Sequence, residues 1–205
     1  MPRLALNKAS LTRESKRLRT FRRFLPPLDL KRRQLIVERM KAARLLVNTR
    51  QQIEEMEGRV ARELPMLANH RELRSLVRIA DIEIDEENLL GVRLPRFSQL
   101  KLETRDYPLL GSPHWVDRLI KHLSRGLELQ VRFQIETERA ARLEQAVRKV
   151  TQRVNLFEKV LIPRTRGNIK RISIYLSDAE RAAVVRAKMA RAKAVRERSF
   201  EHRGA

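Results

Sequence analysis

Apolar residues recur every seven positions along two long stretches of this chain, and that spacing constrains the fold more than any other feature. Leu46, Ile53, Val60 and Leu67 form one series, and Leu28, Leu35, Ala42 and Met56 fill the seam between them, with Thr49 its weak point. Seven residues make almost two helical turns, so such a series draws one apolar stripe along a helix and invites a second helix to lie against it. The pattern predicts helix over 28–76, roughly 70 Å at 1.5 Å per residue, far longer than a helix of an ordinary globule.

A second seam follows after an interval. Phe133, Ala140, Val147, Val154 and Leu161 are spaced by seven, with Leu143, Val150 and Phe157 as companions. Ser112-Pro113 suits a helix start, because a hydroxyl caps free amides and proline fits the first turn. This helix reads as 113–162. Ile169, Ile172 and Leu176 carry the stripe past Pro163, so one long kinked C-terminal helix is expected to about residue 198. Two proline sites interrupt the first arm. Pro26-Pro27 should break or kink it after a short basic helix near 10–24, and Pro65 should bend it inside the pattern.

The stretch between the seams changes character. Val77 to Asp85 alternates around Ile82 and Ile84, Asp85-Glu86-Glu87-Asn88 reads as a polar turn, and Leu90 to Leu94 follows with Gly91 and Pro95. That is a short β-hairpin, leading into an irregular linker through Tyr107-Pro108 and Gly111. The organisation is therefore an N-terminal coiled-coil arm (1–76), a central β-hairpin and linker (77–112) and a C-terminal coiled-coil arm (113–205). The fold class is all-α: a long antiparallel two-helix coiled coil with a short β-hairpin in the central connection. With the fold-back centred near 94 or 95, facing residues have numbers adding to about 189. Leu28 then meets Leu161, Leu35 meets Val154, Ala42 meets Val147, Leu46 meets Leu143 and Met56 meets Phe133. The same stripes would also serve an ordinary helical bundle.

Composition agrees with narrow seams rather than a large mixed core: aromatic residues are 4%, charged residues 35%, and there are only 6 glycines. The absence of cysteine excludes disulfides, thiolate metal sites and cysteine nucleophiles. No apolar run approaches the roughly 18 residues that a membrane span needs. The basic N-terminus lacks a following apolar stretch, so it does not read as a signal peptide. The formal charge of +21 is unevenly placed. Residues 1–50 carry 15 Lys+Arg against 3 Asp+Glu, 164–205 carry 12 against 4, and 51–163 carry 19 against 18. A chain that folds back on itself brings the two cationic ends to one basic pole, suited to a polyanion or an acidic protein surface.

No catalytic constellation is visible. His70, His114, His122 and His202 include no pair four apart on a helix, the spacing that sets two imidazoles on one metal. There is no Gly-rich loop ending in Lys-Ser/Thr to cradle phosphates. Asp85, Glu86 and Glu87 read as a solvated hairpin tip rather than opposed catalytic carboxylates. Catalytic residues, cofactor and metal are all read as none. The basic runs Lys16-Arg17, Arg22-Arg23, Lys31-Arg32-Arg33 and Arg186 to Arg198 would suit a coiled-coil scaffold binding nucleic acid, although no aromatics interleave with the C-terminal run to stack bases. An adaptor for anionic membranes is disfavoured by the lack of a Trp-rich amphipathic helix.

Three segments together resemble the D subunit of the V/A-type (vacuolar/archaeal-type) rotary ATPases, in a bacterial branch. FRRFLPPLDLKRRQL (21–35) is similar to the family's first helix, with Gln34 replacing the last Arg of its Leu-Lys-x-Lys/Arg-Arg core. NLLGVRLPRF (88–97) resembles its Gly-Val-x-x-Pro hairpin. RVNLFEKVLIPRTRGNIKRISIYL (153–176) resembles its Arg-Val-Asn-x-Leu/Phe-Glu-x-Val-x-Ile-Pro-Arg motif. Many members run through the first helix without Pro26-Pro27. The resemblance implies a non-catalytic central stalk, a rotor seated in a threefold ring of A and B subunits. It would be joined through the small F subunit and a connecting subunit to the membrane rotor ring. Such a rotor couples ATP hydrolysis or ATP synthesis to ion transport, itself binding neither nucleotide, metal nor nucleic acid. Its location would be cytoplasmic and peripheral to the membrane, through the complex alone. On this reading Arg13, Arg17, Arg186, Lys188 and Arg191 face the ring interior.

Overall fold

The computed structural model describes residues 4–65, 76–105 and 115–201, with backbone alone for 194–201. Its elements in order are helix α1 (Lys8–Glu63), strand β1 (Val77–Leu89), strand β2 (Val92–Thr104), helix α2 (Val116–Asn155), a π-helical segment (Leu156–Leu161) and helix α3 (Ile162–Glu201). Among the described residues no helix is long and apolar enough to cross a membrane. The chain divides into two compact units, one of residues 1–29 with 152–205 and one of 30–151.

Helix α1 overturns one expectation. It begins where the Asn7 side chain caps the Ser10 amide at 2.7 Å and runs 56 residues without a break, Pro26 and Pro27 included. Each interior proline removes a hydrogen bond and costs about 3 kcal/mol in isolation. The two bonds lost would have ended on the carbonyls of Arg22 and Arg23, exposed residues that water reaches. Packing on both sides of the gap carries the helix through. The Phe21 and Phe157 rings meet edge to face with centroids 5.4 Å apart, and Leu25 and Leu28 are half-buried beyond them. Pro65, by contrast, does not bend the helix from within. The last helical residue is Glu63, the Leu64 amide still donates to Val60 at 2.9 Å, and the residue before a proline is driven out of helical geometry. The Leu67 position, the proposed start at Ser112-Pro113 and the linker at Tyr107-Pro108 and Gly111 lie outside the described residues.

The first unit pairs the start of α1 with the π segment and α3, antiparallel. Asn168 donates to Glu14 at 3.2 Å, Phe21 meets Phe157, and Lys8 lies 3.8 Å from Glu180. Val154, Ile162 and Ile172 form its buried apolar line, with Ser10, Glu14 and Thr165 as buried polar members. The step from Val154 to Ile162 is eight residues rather than seven. Pro163 explains it: the ring clashes with the Lys159 carbonyl and offers it no amide. The helix widens by one residue, and the Ile162 amide reaches back five positions to the Phe157 carbonyl. Leu161, where a strict heptad puts the seam, is half-buried, and Ile162 takes the interior position.

The second unit pairs the rest of α1 with α2, again antiparallel. Leu35, Ala42 and Thr49 are buried at successive sevens, and Leu143, Val147 and Val150 are buried on α2 at steps of four and three. Met56 reaches to within 3.1 Å of where a Cβ on Gly126 would stand. Met56 therefore meets Gly126, seven residues from the expected Phe133. The hairpin turns at Leu90-Gly91 rather than near 94 or 95.

The hairpin is longer than the sequence suggests, with 13 residues per strand. Asp85 to Asn88 is not the turn but paired strand, set against Arg96 to Arg93. The two-residue loop is Leu90-Gly91, with φ of 52° and 78°, the pair of positive values that the right-handed strand twist demands. The Asn88 side chain accepts the Gly91 amide at 3.0 Å and steadies it. Two bulges, at Ala80 on β1 and Ser98 on β2, interrupt the register. Each absorbs an odd step, from Ile79 to Ile82 and from Phe97 to Leu100. Ile79, Ile82 and Ile84 thus stand opposite Leu102, Leu100 and Phe97 on one face.

Candidate interaction surfaces

The described residues hold no group of three or more His, Asp or Glu side chains able to bind a metal. His122 pairs with Glu63 at 3.1 Å, joining the start of α2 to the end of α1. His70, His114 and His202 lie outside the described residues.

The first unit holds most of the excess charge. Its residues carry 22 Lys+Arg against 7 Asp+Glu, a formal +15 of the total +21. Arg13 donates to the Ser10 hydroxyl at 3.2 Å and Arg17 to Glu14 at 2.8 Å. These bonds aim both guanidinium groups along α1 beside a groove that Arg164 and Arg171 also line. Glu14 is buried and accepts hydrogen bonds from Arg17 and Asn168. Arg186, Lys188 and Arg191 all lie on exposed α3, where every residue from 181 to 193 is exposed. Arg13 and Arg17 are exposed as well.

Of the seam residues, Leu35, Ala42, Leu143, Val147 and Val154 are buried, while Leu28, Leu46, Met56, Phe133 and Leu161 are half-buried. Next to Met56 the helix pair opens into an apolar cleft of about 670 Å³, lined by Ile53, Val60, Leu119, Leu123 and Leu127 among others. Gly126 lines it too, and the end of the Met56 side chain fills the space that a Cβ there would take.

The sequence reading missed the clasp that holds the hairpin. Arg139, on α2, donates to the Pro95 carbonyl at 3.3 Å and to Glu87 at 2.8 Å. Arg142 donates to the Arg93 carbonyl at 3.2 Å, and the Arg132 guanidinium lies 4.9 Å from the centre of the Phe97 ring. Leu94 is wholly buried at this end. Val131 and Ile135, both buried, share a stripe of α2 with Arg139 and Arg142 beside the main seam. A signal was present: two extra apolar residues off the heptad, continued by arginines at helical spacing, mark a second covered face. On the hairpin itself Lys101 bridges Glu83 at 2.8 Å and Asp81 at 3.3 Å. The bond to Glu83, then that to Asp81, raises its pKa above 10.5. Further along β1, Ile79, Ile82 and Ile84 remain partly open to solvent.

Comparison with known proteins places these features in one family. Residues 10–192 match the family described as the D subunit of ATP synthase. The D subunit of a V-type ATP synthase from Borreliella burgdorferi is 31% identical over 196 residues, covering 96% of this chain and 97% of that protein. The V-type ATP synthase D subunit of Chlamydia trachomatis serovar L2 is 33% identical over 195 residues, covering 93% and 95%. That of Chlamydia muridarum is 32% identical over 193 residues, with the same two coverages.

Proposed function

The chain belongs to the D-subunit family of ATP synthases, and from that membership we propose that it is the central rotor shaft of a V/A-type ATPase. As a member of the V-type ATP synthase assembly it is one component of a multi-subunit complex. Our reading goes further. The shaft sits in a threefold ring of catalytic A and regulatory B subunits and turns with ATP hydrolysis. It passes rotation through the F subunit and a connecting subunit to the membrane ring, coupling ATP turnover or synthesis to ion transport. The complex holds it peripheral to the membrane, on the cytoplasmic side, and it performs no catalysis of its own.

The observation that carries this reading is the match over residues 10–192, since it takes in both helical arms and the hairpin. The physics of the arms supports it. Two helices sharing an apolar seam resist twisting better than a single helix. Exposed arginines and lysines make many weak contacts, each worth about 0–1 kcal/mol, so a basic surface holds an acidic bearing without one deep minimum to trap rotation.

The test is reversal of Arg13, Arg17, Arg186, Lys188 and Arg191 to Glu. We expect the chain to fold and its assembly with the A and B ring to weaken at least about tenfold, more steeply at low salt. Unchanged assembly and turnover would remove these residues from the interface. Salt-sensitive retention on DNA with no ring recovered would favour the nucleic-acid scaffold instead.

A further inference from the structure

The first unit contains two breaks in backbone hydrogen bonding, one on each helix, at the same level. On α1, Pro26 and Pro27 have no amide to give to the carbonyls of Arg22 and Arg23. On the facing helix, Pro163 has none to give to the Lys159 carbonyl, and the segment Leu156–Leu161 adopts the wider π-helical turn. The Phe21–Phe157 contact sets the two gaps within about one helical turn of each other. Either defect alone would be braced by an intact helix beside it. Together they leave one level at which neither helix of the pair has its full ladder. Phe24, Leu156 and Val160 are exposed on its outer side, while Val154 and Ile162 are buried. One contact that spans this level is the Phe21–Phe157 edge, an aromatic pair worth about 0.5–1.5 kcal/mol beyond its buried area.

We propose that this level is a soft joint in the helix pair, at which bending and twisting concentrate, with the Phe21–Phe157 contact as its pivot. Among the described residues the helices hold no other interior proline or π-helical segment, so deformation has a preferred place. Under the rotor reading, this is where torque would be stored as elastic strain, but the joint itself is a property of the isolated chain.

The test uses that chain as it is, and its lack of cysteine makes labelling simple. Spin labels on Arg19→Cys and Arg44→Cys, both exposed on α1, straddle Pro26-Pro27. Labels on Gln34→Cys and Arg59→Cys, equally far apart and exposed on the same helix, do not. The distance distribution of the straddling pair is expected to be about twice as broad, and the Pro26→Ala, Pro27→Ala double variant to narrow it to the reference width. A second measurement needs no proline variant. Amides of residues 157–162 should exchange at least about tenfold faster than those of residues 37–42 in the unmodified chain. Equal widths and equal exchange would overturn the proposal, whether or not the chain proves to be a rotor. A broad straddling distribution that the proline variant fails to narrow would overturn the assignment of the joint to these prolines.

Discussion

Leu35 and Gly58 mark the two extremes of what a single residue does in this helix pair. Leu35 is wholly buried, so Leu35→Ala removes packing that the seam cannot close over, at about 2–5 kcal/mol. A lowered urea midpoint with the helical circular dichroism signal retained before the transition is the expected result. Gly58 has nothing within 4 Å of where a Cβ would stand and lies in the interior of α1. Gly58→Ala should therefore raise stability by about 0.5–1 kcal/mol, through backbone entropy alone, seen as a higher Tm. Gly126 is the informative contrast: its added Cβ meets the flexible end of Met56 at 3.1 Å, so part of the same gain is spent on moving that side chain. Residues of this kind were legible in the sequence where the heptad is strict, as at Leu35, Ala42 and Val147. Past Pro163 the stripe was legible at Ile172, which is wholly buried, but between Val154 and Pro163 it was not, because the consequence of Pro163 is an inserted residue, and counting by sevens cannot register an insertion. Ile162 takes the interior place for that reason.

At the scale of elements, the hairpin shows what local pattern does and does not specify. The isoleucines at 79, 82 and 84 announce a strand. The odd step between the first two conceals it until the bulge at Ala80 is known. A polar run is a good turn candidate in isolation, yet Asp85 to Asn88 lies in the strand, because Asn88 and Gly91 supply the turn chemistry and Glu87 has a partner on another element. That partner, Arg139, is 44 to 52 residues distant from its two contacts, which is why local reading did not find the clasp. Arg139→Ala should release the hairpin from α2 without unfolding the helices. Amide exchange would speed up across residues 87–97 and remain unchanged in residues 35–49. The Lys101 bridges give a pH test. Their contribution is complete below the ordinary lysine range and is lost as pH rises through the raised folded value. The strand-pairing signals of β1 and β2 should therefore hold from about pH 6 to 9 and loosen only above 10.5. Lys101→Met should abolish that alkaline step.

For the whole molecule, the seams predicted antiparallel pairing, and the helices of each unit pair in that sense. Periodicity alone does not fix which turn of one helix faces which turn of the other, and Met56 meets Gly126 where counting from 94 or 95 puts Phe133. The charge distribution needed no structure to be seen, since +15 of +21 falls on residues 1–29 and 152–205. What it meets is a property of another protein. The central claim is that this chain carries rotation between the catalytic ring and the membrane ring. It is tested most directly by reconstituting the complete complex in vesicles with and without the chain and recording ATP-driven ion uptake alongside ATP hydrolysis. We predict uptake only when the chain is present, with hydrolysis by the ring persisting, uncoupled, when it is absent. Equal ion uptake per ATP in both preparations would contradict the account.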